Sequence, residues 1–181
     1  MRERVIHVHR QRLQPIDPAE LSRVQGISIG RADAPVVLYE FADFQCPGCG
    51  QFASFTAPLI KERLVDTGIV QLIRYDFPLV QGHPHAFLAA RAGRCANDQG
   101  RFWEFHDRLF GQQQQWSYQP STPTNLLLQY ATDLGLDRAQ FESCLRSDEH
   151  AEVVTANVLL GQQLGVGGTP TVFVNQRRLN N

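Results

Sequence analysis

The run Val36-Val37-Leu38-Tyr39, extended by Phe41, leads within five residues into Cys46-Pro47-Gly48-Cys49, and a helical pattern begins at once. A near-continuous apolar run of this length reads as a strand buried on both faces of an α/β sheet. Phe52, Phe55, Leu59 and Leu64 mark one face of the following helix, which stops at Gly68 and is expected to kink at Pro58. Val70 to Tyr75 predicts the next strand, closed by Phe77-Pro78. This strand–helix–strand unit sets Cys46 at the C-terminal end of its first strand, where open α/β sheets hold their sites. It also sets Cys46 at a helix N-terminus, where free N–H groups and the helix dipole favour an anion. A thiolate is the species that attacks disulfides, so backbone geometry alone supplies a redox centre.

The remainder of the chain divides around this unit. Residues 1–25 are polar and Arg-rich, broken by Pro15 and Pro18, and read as an arm or tether. A short strand is expected from Gly26 to Gly30. From 81 to 163 the pattern is helical, an all-helical insertion between two parts of an α/β core at 26–80 and 164–181. Leu88, Ala92 and Cys95 share one helical face, and Phe102, Trp103, Phe105, Leu109 and Phe110 make an aromatic-rich helix. Leu126, Leu127, Tyr130 and Leu134 line a third helix, Phe141, Cys144 and Leu145 a fourth, and a fifth starts near Asp148. The Gln112–Gln115 tract reads as a turn without a role. Strand character returns at Thr171–Val174, after Gly167-Gly168-Thr169-Pro170.

Composition bounds the function. With 181 residues, 43% hydrophobic and 19% charged, the chain suits one soluble domain with a sizeable core. A formal net charge of −1 argues against nucleic acid as a partner. No run approaches the ~18 apolar residues of a membrane span, and the first ten residues lack the apolar centre of a signal peptide. The four cysteines split into a Cys-x-x-Cys pair and two distant residues, which fits one redox pair and one bridge, and stable bridges belong to oxidising compartments. Export, with a signal or anchor removed ahead of Met1, is the expectation.

Other chemistry is less well supplied. A Cys-x-x-Cys pair also occurs as half of a zinc site, but zinc takes four ligands, and neither a second such pair nor a His-x₃₋₅-His stretch exists. His83 and His85, like His7 and His9, lack a completing carboxylate or cysteine in sequence, so no metal is expected. Glu40, inside an apolar strand, reads either as a buried carboxyl of raised pKa or as a strand-end group reaching solvent or an arginine. Asp43 is the rival carboxylate, expected to be solvated. Cys95 and Cys144 suit two small buried thiols or a bridge.

Taken together, Asp33-Ala-Pro-Val36, Glu40-Phe-Ala-Asp-Phe44 with Cys46-Pro-Gly-Cys49, Asp98-Gln-Gly-Arg-Phe-Trp-Glu-Phe-His-Asp107 and Gly165-Val-Gly-Gly-Thr-Pro-Thr171 resemble the DsbA-like disulfide oxidoreductases of the thioredoxin superfamily. The likeness spans roughly residues 26–179. It implies a thioredoxin-like α/β fold with an inserted all-helical subdomain. Members usually carry a further strand and helix after the last hairpin, which this chain, ending at Asn181, is expected to lack. Gly48 departs from the best-known oxidases, which carry a histidine there.

The resemblance also implies roles. Cys46 is the exposed nucleophile and Cys49 the buried resolving thiol, with Pro47 and Gly48 as the active-site dipeptide. Glu40 relays a proton to or from Cys49, Thr169-Pro170 forms a cis-proline loop that binds substrate as an added strand, and Cys95 pairs with Cys144. If the Cys46 pKa drops by ~2 units, its thiolate gains ~2.7 kcal/mol, and the potential rises by roughly 60 mV. Without histidine at 48, a milder oxidant is expected. The activity implied is oxidation of reduced, exported polypeptides outside the cytoplasm, without an organic cofactor, followed by reoxidation through a quinone-linked membrane partner. A reductase or isomerase using the same pair is the alternative, and a binding protein whose Cys46–Cys49 bridge is structural is a third.

Overall fold

The computed structural model describes residues 22–175 and 177–179. Most of the expected arm, with His7 and His9, lies outside the described residues. Among the described residues five strands form one mixed sheet: β1 (Ile27–Ile29), β2 (Val36–Ala42), β3 (Val70–Asp76), β4 (Thr171–Val174) and β5 (Arg177–Arg178), in the order β1-β3-β2-β4-β5. Strands β2 and β3 run parallel, from Val36 opposite Val70 to Ala42 opposite Asp76, because a helix carries the chain between them. The β1–β3, β2–β4 and β4–β5 pairs are antiparallel. Strand β5 is absent from the sequence-based expectation; two arginines carry no apolar alternation that would mark it.

The helix after β2, here α1, is not a regular α-helix. It opens as Pro47–Gln51, widens into a π-helical stretch at Phe52–Thr56, returns to α over Ala57–Ile60 and widens again at Lys61–Val65. Pro58 has no N–H, so the carbonyl one turn back loses its partner, and π turns on either side take up the mismatch. The same widening breaks the 3.6-residue period. Phe55 and Leu59, expected on the buried face, are 74% and 49% exposed, while Ile60 and Leu64 pack with Leu38, Val65, Val70 and Leu72.

Between β3 and β4 lie six helices: α2 (Ala86–Asp98), α3 (Phe102–Gly111), α4 (Gln113–Trp116), α5 (Thr124–Asp133), α6 (Arg138–Ser147) and α7 (Ala151–Gln163). The Asp137 carboxylate caps α6 by accepting from the Gln140 N–H at 2.8 Å. A disulfide between Cys95 and Cys144 joins α2 to α6. Helix α4 falls on the glutamine tract that the sequence presents as a turn. The helical core gathers Phe105, Leu109, Trp116, Leu127 and Phe141, and it continues without a break into Phe44, Cys46 and Cys49. The helices therefore pack directly against the segment that joins β2 to α1.

Candidate active site

Cys46 is the N-cap of α1, in extended conformation, with Pro47 at the first helical position. Proline suits that position because its missing N–H would have been unpaired anyway. Its sulfur lies 3.2 Å from the Thr169 carbonyl, and the Thr169–Pro170 bond is cis. Pro47 is exposed and Gly48 half-buried, but Cys46, expected to be exposed, is largely covered at 8% exposure. A Cβ at position 48 would sit 3.3 Å from Pro170 Cδ, so glycine here lets the dipeptide close against the proline.

Both active-pair cysteines are free thiols with opposite acidities. The Cys46 pKa is lowered to about 5, chiefly because the Cys49 thiol donates to its sulfur. Burial opposes the shift, while Thr169 and the backbone N–H groups of Cys49 and Gly48 reinforce it. The Thr169 hydroxyl is buried without a hydrogen-bond partner and is a donor available to the Cys46 sulfur. Cys49 is fully buried, and burial drives its pKa up, with further increments from Cys46 and from the Glu40 charge. Its sulfur accepts from the Asp43 N–H at 3.4 Å. One sulfur ionises readily and its neighbour keeps its proton.

Glu40 is 3% exposed on β2 and stands opposite Arg74 on β3. Burial raises its pKa and the Arg74 charge pulls the other way. Of the two readings the sequence left open, the buried one describes its position. Arg74 is buried too, donates from Nη1 to Asp76 at 3.0 Å, and lies 4.0 Å over the Phe44 ring. Asp76 accepts in turn from Arg94 Nε at 2.7 Å, and Arg94 Nη2 reaches the Gln25 carbonyl. This buried charge chain is missing from the sequence-based site. A signal existed: the alternation Val70, Leu72, Arg74, Asp76 places the charged pair on the inward face of β3.

Asp43, expected in solvent, has a fully buried side chain. It accepts from the Gln45 N–H at 2.7 Å, the Leu79 N–H at 2.8 Å and His83 Nδ1 at 2.6 Å. The Gln45 N–H of the local turn and the Leu79 N–H from after β3 replace water as donors, so burial costs it little. His83 thus partners Asp43, and His85 Nε2 meets the Gln119 carbonyl at 2.8 Å. His106 is buried among Phe44, Phe102 and Phe110, and burial lowers its pKa.

Two glutamines complete the site, and neither was singled out from sequence. Gln113 of α4 donates through Nε2 to the carbonyls of Phe44 and Cys46, at 2.8 and 2.9 Å. Gln45 reaches the opposite way, donating to the Ser117 carbonyl at 2.6 Å and accepting from the His85 N–H at 2.8 Å. The Gln112–Gln115 tract therefore has a structural role. Its turn-like composition gave no hint, because both acceptors are backbone atoms nearly 70 residues away.

The sequence model of the family described as Thioredoxin matches residues 22–181. The chain belongs to the thioredoxin family. Within it, the likeness is to disulfide oxidoreductases: a probable disulfide bond formation protein D of Bacillus anthracis is 34% identical over 154 residues, covering 84% of this chain and 71% of that protein. The crystal structure of oxidised BdbD from Bacillus subtilis superposes with a TM-score of 0.76 at 29% identity, covering 85% of this chain and 83% of that one. The Na(+)/H(+) antiporter NhaA 3 of Salinispora tropica is 38% identical over 164 residues, 91% of this chain but 23% of the antiporter. The chain thus spans about a quarter of the antiporter relative it matches. The thioredoxin-like α/β fold expected from sequence is the fold shared with BdbD.

Proposed function

We propose that the chain introduces disulfides into reduced, exported polypeptides outside the cytoplasm, by exchange through Cys46 and Cys49. The observation that carries this reading is the split acidity of the pair, Cys46 lowered to about 5 beside a Cys49 whose pKa burial raises. A low Cys46 pKa stabilises the reduced form and makes Cys46 a good leaving group from the mixed disulfide, so the pair passes its bond on to the substrate.

In the oxidised protein a substrate thiolate attacks Cys46 Sγ. The Cys46–Cys49 bond breaks, Cys49 leaves as a thiolate and takes a proton, for which Glu40 is the buried source, and a mixed disulfide joins substrate to Cys46. The second substrate thiolate then attacks the substrate sulfur of that bond, releasing Cys46 as its stabilised thiolate. Two electrons pass from the substrate dithiol to the active pair. Thr169 offers its backbone to the substrate as an edge, since its carbonyl already meets the Cys46 sulfur. A quinone-linked membrane oxidase is the proposed partner for reoxidation. The Cys95–Cys144 disulfide supports an oxidising compartment, and the Bacillus anthracis relative's name supports the direction.

The test is equilibration with a glutathione series, read as the redox state of wild type beside Cys46→Ser. A potential between that of thioredoxin, about −270 mV, and that of the strongest oxidants, about −120 mV, is expected on the oxidising side of the range. A value at the thioredoxin end assigns the pair to reduction or isomerisation instead. No exchange with reduced peptides leaves only a structural bridge.

A further inference from the structure

The Cys95–Cys144 disulfide sits in a set of side chains that a bridge does not need. The ligand atoms of Cys95, Cys144 and His150 all lie within 4.8 Å of one another. Asp98 Oδ2 is 2.6 Å from His150 Nε2 and 3.6 Å from Cys144 Sγ. Two sequence-local pairs supply the four: Cys95 and Asp98, one turn apart on α2, and Cys144 on α6 with His150, the N-cap of α7. Two sulfurs, one imidazole and one carboxylate are a donor set that suits four-coordinate zinc. Arg91, one turn before Cys95, donates to the Leu145 carbonyl and pairs with Asp148. It thus sets a cation at the edge of a cluster that carries three negative charges when both thiols ionise.

We propose that reduction of this disulfide opens a zinc site, so that α2, α6 and the start of α7 are tied covalently in the oxidised protein and by Zn²⁺ in the reduced one. A dithiol reductant delivers two electrons: the Cys95–Cys144 bond breaks, two thiols form, and the dithiol becomes a disulfide. Zinc then replaces the two thiol protons, which pass to solvent. His150 binds through Nε2 and Asp98 through Oδ2, the same two atoms that already face each other. Rotation of the cysteine side chains is sufficient to part the sulfurs, because the ligands come from helices whose backbones are already in contact distance. In the oxidised state the sulfurs are bonded to each other and the site is closed.

The test uses the full chain carrying Cys46→Ser and Cys49→Ser, which removes the competing thiol pair. Oxidised protein and protein reduced with a phosphine are titrated with Zn²⁺ against a chromophoric chelator, and with Co²⁺ as the spectroscopic probe. One tightly bound equivalent in the reduced form alone is expected, with sulfur-to-cobalt charge transfer and tetrahedral bands. His150→Ala and Asp98→Ala each weaken binding by more than the roughly tenfold that loss of an outer-shell partner costs, and zinc raises the melting temperature of the reduced protein by more than that of reduced His150→Ala. Equal zinc affinity in both redox states overturns the proposal, as does undiminished affinity in the two variants. A reduced chain that stays unfolded with zinc present overturns it as well.

Discussion

The side-chain amide of Gln113 donates to the carbonyl of Cys46 at 2.9 Å, so a residue of the helical region holds the backbone of the N-cap cysteine. The same nitrogen holds Phe44 O, and Gly50 leaves room for it: a Cβ there would meet Gln113 Oε1 at 2.7 Å. Gln113→Ala leaves the buried Phe44 carbonyl without its side-chain donor and the Cys46 carbonyl with the Gly50 N–H alone, and is expected to destabilise the protein by about 1–3 kcal/mol. Gly50→Ala in the native background costs about 1–3 kcal/mol by overpacking. With Gln113→Ala already present, Gly50→Ala should cost much less. A double-mutant cycle by urea denaturation reads this coupling; additive losses would mean that the two positions do not share the space.

The Cys49 thiol is the first cause of the low Cys46 pKa, which separates two conservative-looking variants. Cys49→Ser keeps a donor, and Cys46 should still ionise near the acidic value. Cys49→Ala removes it, and the pKa should rise toward the free-thiol value of about 8.5. Thiolate absorbance against pH distinguishes them. For the dithiol protein the linkage has a definite sign. The folded pKa is depressed, so the stability it contributes is complete above the unfolded value of about 8.5 and is lost as pH falls through about 5. The melting-temperature difference between reduced wild type and reduced Cys46→Ala should therefore shrink over that window.

How much of this was legible in the sequence depends on the range of the interactions. Strand β2 and the cysteine turn are legible because local pattern sets them, an apolar run and a proline at the first helical position, whereas the cis loop at Thr169-Pro170 is legible through the family resemblance. The buried face of α1 was misread because Pro58 induces π turns, and a 3.6-residue period cannot anticipate them. Asp43 was misplaced for a different reason. Its character is set by donors from Leu79 and His83, 36 and 40 residues away, which no local composition reveals. Gln45 and Gln113 were missed on the same ground, whereas Arg74 was recoverable from strand alternation alone.

Asp43 is expected to be among the most sensitive positions outside the cysteines. Asp43→Ala strips the acceptor from two backbone N–H groups and from His83, and it loosens the turn whose N–H meets Cys49. A loss of at least about 3 kcal/mol is expected from the unpaired buried donors. Asp43→Asn keeps one carbonyl oxygen and should recover part of that loss. Chemical denaturation of the two variants, with Cys46 alkylation rates measured on the folded protein, tests both consequences. Equal stability in Asp43→Ala and wild type would show that water replaces the carboxylate at no cost.

Glu40 yields the last prediction, in which stability and activity move in opposite directions. Its folded pKa is raised by burial, so folding favours the protonated carboxyl. That preference is fully expressed below the unfolded pKa of about 4.3 and is lost as pH rises through the folded value. Glu40→Gln removes the cost of a buried charge, and the variant should be more stable than wild type at pH 7 and above, with no advantage at pH 3. If Glu40 passes the proton to and from Cys49, the same substitution should slow exchange by about 10²-fold, the lower range for general acid–base catalysis. It should also flatten the pH dependence of the step in which Cys49 departs or attacks. Arg74 opposes the raised pKa from across the strand pair. Arg74→Met should therefore shift the pH–rate profile upward rather than abolish it, although removing one partner of a buried charge chain costs about 3–5 kcal/mol. Stopped-flow exchange with a reduced peptide between pH 4 and 9, run on all three proteins, reads the profile directly. An unchanged rate and slope in Glu40→Gln would assign the proton to solvent, and the carboxyl would be left with a purely electrostatic effect on Cys49.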